Sequence, residues 1–185
     1  MSRLVLVKHA MPAIDEGRPS KLWPISEEGR GAAGRLAERL RPLALTRVAA
    51  STEPKAADTG RVIAERLGAP ISFDEGLVET YRETVGWLPR GEVEAAIEGL
   101  LRRPAELVYG EETGDAAHAR FDAAIARAVA GRESHTVAVA AHGTVIALWV
   151  SRRLGIDPMS LWRSLSLPSA VVVDGQAHEI MSADP

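Results

Sequence analysis

The sequence predicts an α/β fold of three layers, a mostly parallel central sheet flanked by helices, and three observations carry that prediction. Residues 4–7 are a continuous apolar run and residues 136–141 are one after the opening Thr136, with valine recurring in both, the pattern of strands buried on both faces. Segments with helical spacing and capping residues alternate with these strands, as in parallel α/β sheets. Near the end, residues 170–173 form another apolar run. Asp174-Gly175 then offers a turn into a short last strand around residues 179–181, which closes the sheet with a hairpin.

The first strand stops at Lys8 and His9. Ligands bind at the carboxyl edge of open parallel sheets, and a fixed cation beside an imidazole there suits an anionic electrophile such as a phosphoryl group. A polar, proline-punctuated loop follows over residues 11–24. Ser26 then takes the place of a helix N-cap, with Glu27 and Glu28 in the first turn, where the helix dipole favours anions. Ala33, Leu36, Ala37 and Leu40 keep helical spacing until Pro42 stops the helix. Gly29-Arg30-Gly31-Ala32-Ala33-Gly34 matches a dinucleotide fingerprint. No strand runs directly into it, so the match is a coincidence.

Residues 47–50 read as a second strand ending at Ser51, and residues 54–67 as a helix with Pro54 at its start and Gly68 after its end. Residues 71–73 suit an edge strand. The stretch from Asp74 to Pro89 is irregular and carries Glu75, Glu79, Arg82, Glu83, Tyr81 and Trp87, the makings of a lid or pocket wall. Helices are expected around residues 93–101 and 115–130. The strand at 136–141 ends in His142-Gly143, and a helix follows to Leu154.

With 185 residues and no internal repeat or linker, the chain reads as one domain, residues 1–185, with a lid or insert over residues 74–114. A net charge of -3 argues against nucleic acid or a membrane surface as partner. No cysteine is present, which excludes disulfides and thiolate chemistry. The lack of a signal-peptide pattern and of any apolar run of membrane-spanning length makes a cytoplasmic location the expectation. His118, His135 and His178 lack ligand spacing and read as surface residues, so no metal is expected.

Two strands therefore end in histidine, and a third ends at Ser51 just before Lys55. Lys8-His9-Ala10, Ile25-Ser26-Glu27-Glu28-Gly29, Ser51 with Lys55-Ala56-Ala57-Asp58-Thr59-Gly60, Leu77-Val78-Glu79, Glu112-Thr113 with Arg120, and Ala141-His142-Gly143 follow one another in order. That ordered set resembles the histidine phosphatase superfamily, with its phosphoglycerate-mutase-like fold. The resemblance implies a phosphomonoester hydrolase that works through a phosphohistidine on His9. Glu79 is implied as general acid and base, with Glu83 as the second choice. His142, Lys8, Lys55 and Gly143 are implied around the phosphoryl group, while Ser51, Arg82 and Arg90 are available to the rest of a small phosphorylated substrate. No cofactor is implied.

One departure stands out. Both places where the family carries pocket arginines hold lysines here, two of only three in the chain. Lysine keeps the charge but loses the planar fork that grips two phosphate oxygens. Reduced activity is therefore expected. A weak or inactive member that binds a phosphorylated ligand, and a phosphatase of phosphohistidine proteins, are the alternative readings.

Overall fold

The structure is a computed structural model that describes residues 3–86, 88–131 and 135–184. Six strands form one sheet: β1 (Arg3–Lys8), β2 (Leu45–Ser51), β3 (Ile71–Asp74), β4 (Thr136–Ala141), β5 (Ser169–Asp174) and β6 (Ala177–Ser182), in the order β3-β2-β4-β1-β5-β6. β1, β2, β3 and β4 run parallel, whereas β5 is antiparallel to β1 and pairs with β6 as a hairpin. The register sets Leu4 opposite Val137 and Lys8 opposite Ala141. Two of the strands read from apolar runs are thus neighbours whose carboxyl ends finish level.

Helices α1 (Glu27–Leu40), α2 (Pro54–Leu67), α3 (Arg90–Arg102), α4 (Gly114–Val129), α5 (Gly143–Leu154) and α6 (Pro158–Ser164) complete the described regular structure, apart from short 3-10 turns. Alternation along the strands divides the core between the two faces. Val5, Val7, Val48, Ala138 and Ala140 pack under α1 and α2, against Leu36, Leu40 and Ile63. Leu4, Leu6, Val137 and Val139 pack on the other side with Leu100, Phe121, Ile146 and Leu148 of α3, α4 and α5.

Local chemistry explains the helix ends. The Ser26 hydroxyl accepts the Gly29 N–H at 3.0 Å and caps α1, and Gly68 ends α2 in the left-handed region at φ 66°. The glycine-rich run at residues 29–34 lies inside α1, where a side chain at Gly29 would meet the Met11 carbonyl at 2.3 Å. Its first glycine serves close packing, in keeping with the rejected nucleotide reading. α6 was not expected from the sequence. It has only seven residues, of which Met159 and Leu161 are buried, too few to set up a helical period. Trp87, named for the pocket wall, lies outside the described residues. Among the described residues no helix is long and apolar enough to cross a membrane.

Candidate active site

The level ends of β1 and β4 bring His9 and His142 together, with ring centroids 5.3 Å apart and planes inclined at 60°. The His9 N–H is held by the Ala141 carbonyl at 3.0 Å. His9 Nδ1 lies 2.8 Å from the Ala10 carbonyl oxygen. A carbonyl only accepts, so Nδ1 carries the ring proton and Nε2 keeps its lone pair. Burial above all, followed by the charges of His142 and Lys55, holds His9 well below the usual imidazole range. Burial, more than the neighbouring cations, is the main cause of that depression.

His142 is wholly buried. Its Nε2 pairs with Ser51 Oγ at 3.0 Å, while Nδ1 has no partner in the fold. Ser51 Oγ also accepts the Glu53 N–H at 3.2 Å, which leaves the hydroxyl proton available to His142. Ser51 is itself fully buried; its hydroxyl serves His142 rather than opening on the cleft. Burial, then the charge of Lys55, also pushes His142 well below the usual range.

Glu79 comes from the irregular segment and is 7% exposed. Its Oε1 accepts the Thr80 N–H at 2.9 Å, and its Oε2 accepts the Thr144 N–H at 3.2 Å. The segment is anchored from below by Arg120, which donates to the carbonyls of Gly76, Val78 and Glu79 and pairs through both Nε and Nη2 with Glu112. Glu112 in turn accepts the Tyr81 N–H at 3.2 Å. The Glu112 and Arg120 of the ordered set therefore place Glu79.

Both lysines reach the site. Lys8 Nζ donates to the Leu165 carbonyl at 2.7 Å and lies 5.6 Å from the centre of the Trp162 ring. Burial lowers its pKa to about 8, against an opposing pull from Glu79. Gly143 makes room for it: a Cβ there would stand 3.2 Å from Lys8 Cε and 3.2 Å from Trp162 Nε1. Lys55 is 3% exposed. Its Nζ donates to the Ser20 carbonyl at 2.7 Å and to Glu53 Oε2 at 2.6 Å. Its pKa too is lowered, by burial, although Glu53 works in the other direction.

The model of the histidine phosphatase superfamily (branch 1) matches residues 4–179. The chain belongs to that superfamily. No curated protein sequence matches it. Its fold is shared with mycobacterial glucosyl-3-phosphoglycerate phosphatase in complex with VO3, at 24% identity and a TM-score of 0.73 over 97% of this chain and 96% of that one. It is also shared with YhfR from Bacillus stearothermophilus, at 22% identity and TM-score 0.72 over 98% and 96%. A putative alpha-ribazole-5'-P phosphatase from Escherichia coli gives 18% and 0.73 over 98% and 97%.

In this member of the superfamily the remaining expected residues take different places around the site. Arg82 lines the cleft together with Ser20, Lys21, Glu53 and Glu79. Glu83 also borders it, but its exposed carboxylate is tied to Lys21 at 2.5 Å. Arg90 is exposed at the first turn of α3 and is not among the cleft-lining residues, although its charge reaches Lys8. Of the histidines read as surface, His135 and His178 are exposed and His118 is half-buried. Among the described residues no group of three or more His, Cys, Asp or Glu is placed to hold a metal.

Sequence reasoning missed Glu53. Besides pairing with Lys55, its Oε1 accepts the Glu79 N–H at 3.0 Å, and its Oε2 stands 3.8 Å from His142 Nε2. The only sequence signal was its position, between the end of β2 and the proline that opens α2.

Proposed function

We propose that the protein is a metal-independent phosphomonoester hydrolase acting through a phosphohistidine on His9. The observation that carries this reading is the state of the His9 ring, neutral and with Nδ1 tied to Ala10 O. In the first step Nε2 attacks phosphorus and the bond to the leaving oxygen breaks. Glu79 protonates that oxygen as it departs. In the second step Glu79 takes a proton from water, the water oxygen attacks phosphorus, and the N–P bond breaks to release phosphate and His9. The protons of Lys8 and the unpartnered Nδ1 of His142 are the donors for the phosphoryl oxygens where charge builds up.

The substrate is a small phosphorylated molecule, as it is for the glucosyl-3-phosphoglycerate and alpha-ribazole phosphatases that share the fold. A panel of phosphomonoesters, assayed with and without a chelator, tests the activity. Acid-labile, alkali-stable labelling of the protein from a radiolabelled substrate, lost in His9→Ala, tests the intermediate. Turnover that survives His9→Ala overturns the mechanism.

A second reading, a weak or inactive member that binds a phosphorylated ligand, is favoured by the engagement of both lysine ammoniums inside the chain, Lys8 by Leu165 and Lys55 by Glu53 and Ser20. Phosphate binding without any turnover across the panel would decide for it.

A further inference from the structure

Lys55 stands where the family places a phosphate-gripping arginine, yet two of its three N–H donors are already used within the chain, and one of them meets a carboxylate at 2.6 Å. A phosphate dianion approaching Lys55 also approaches Glu53, so the pair presents little net positive charge. Lys21, at the rim, is similarly spent on Glu83. Arg82 differs. It lines the same cleft beside Glu53 and Glu79, and among the described residues its guanidinium makes no hydrogen bond or ion pair. It lies 5.7 Å from the centre of the Tyr109 ring. A cation–π contact uses none of the guanidinium's five N–H groups for an oxygen acceptor and leaves them free for one.

The backbone of Arg82 is held in place. A Cβ on Gly110, whose φ is +76°, would fall 2.1 Å from the Tyr81 carbonyl and 2.8 Å from Arg82 Cα. The Glu111 N–H donates to that same carbonyl at 2.9 Å, and the Glu111 carboxylate accepts the N–H groups of Glu83 and Thr84. We propose that Arg82 supplies the guanidinium fork for the phosphoryl oxygens in place of the arginine replaced by Lys55, and that Glu53 keeps Lys55 charge-compensated. This moves Arg82 from the substrate's far end to the reacting group. Its charge reaches both Lys55 and His142, as a position beside the phosphoryl site requires. The assignment rests on the phosphatase reading.

Titration calorimetry with inorganic phosphate, run beside nitrophenyl phosphate kinetics, separates the two ideas. Arg82→Gln is expected to weaken phosphate binding on the order of tenfold or more, the loss typical of a charge-assisted pair. Arg82→Lys keeps charge without the fork and should fall between. Glu53→Gln releases Lys55 while keeping an acceptor for the Glu79 N–H; it should tighten phosphate several-fold and recover most of the loss when combined with Arg82→Gln. Wild-type-like phosphate affinity in Arg82→Gln, with activity intact, overturns this assignment alone. So does weaker binding in a folded Glu53→Gln. A wild-type protein that neither binds phosphate nor hydrolyses any ester overturns both.

Discussion

Glu79 Oε2 and the Thr144 N–H meet at 3.2 Å, joining the irregular segment to the first turn of α5. A helix N-terminus presents unpaired N–H groups and a positive dipole end, so it fixes a carboxylate without a dedicated cation. Glu79 is thereby registered against the same turn that follows His142.

Glu79→Gln removes the proton at nearly the same volume, and its single acceptor oxygen can keep only one of the Thr80 and Thr144 N–H groups. We expect turnover of an alkyl phosphate to fall by about 10² or more, the usual worth of general acid catalysis. Nitrophenyl phosphate, whose leaving group needs little protonation, should lose much less. An equal loss on both substrates, measured by steady-state kinetics, would move the acid role to Glu83 or make Glu79 structural.

Lys8 gives the site an alkaline edge. Its folded-state pKa of about 8 lies below the ordinary 10.5, so as pH rises through about 8 the ammonium becomes neutral and phosphate affinity should fall. Calorimetry with inorganic phosphate between pH 7 and 9.5 reads this. Lys8→Arg stays charged and should flatten the profile. For stability the sign is opposite: between the two pKa values the unfolded chain binds more protons, so Lys8 favours folding as pH rises through that window.

The histidines act at the other end of the scale. His142 titrates far below 6.5 in the folded protein and near 6.5 when unfolded, so the unfolded state binds more protons as pH falls below about 6.5, and stability drops with it. Melting curves from pH 7.5 to 5 should show this decline, and His142→Gln should make it shallower. An unchanged slope would mean that His142 is not buried as neutral imidazole.

The Arg120–Glu112 pair should separate stability from catalysis. Arg120→Met strands a buried carboxylate and frees the carbonyls of Gly76, Val78 and Glu79; roughly 3 kcal/mol of stability should be lost. Replacing both residues, Arg120→Met with Glu112→Leu, should recover much of that loss, because no charge is left unpaired. Turnover should stay low in the double variant, since the carbonyls of Gly76, Val78 and Glu79 lose the anchor that holds the segment carrying Glu79. Recovery of activity would show that the pair has no part in placing the acid.

Gly110→Ala tests the cradle under Arg82. At φ +76° an alanine is strained by about 1–3 kcal/mol, and its Cβ collides with the Tyr81 carbonyl. KM for phosphomonoesters should rise together with a fall in melting temperature. Unchanged kinetics would show that the segment's position is immaterial.

Much of this was legible because it rests on local rules. The strands at residues 4–7 and 136–141 announce themselves by burial on both faces, and Ser26, Pro54 and Gly68 mark helix ends by capping chemistry. His9 and His142 could be paired because both follow such strands. Glu53 could not be read, since a lone acid in a turn is ordinarily solvated, and only the packing of the Ser20 and Glu79 backbones around Lys55 reveals it. The Lys8 grip by Leu165 was equally hidden, because it depends on α6, a helix too short to show a period.

The adjacency of β1 and β4 has one more consequence. Neighbouring strands stand about 4.8 Å apart wherever they pair, so the gap between the two imidazoles is measured out by backbone hydrogen bonding, much as a ruler would do it. Loops can lengthen, shorten or trade residues without altering that spacing. Substrate preference can therefore drift through the residue 11–24 loop while the phosphoryl chemistry stays constant. A strand slip of one residue would cancel it outright.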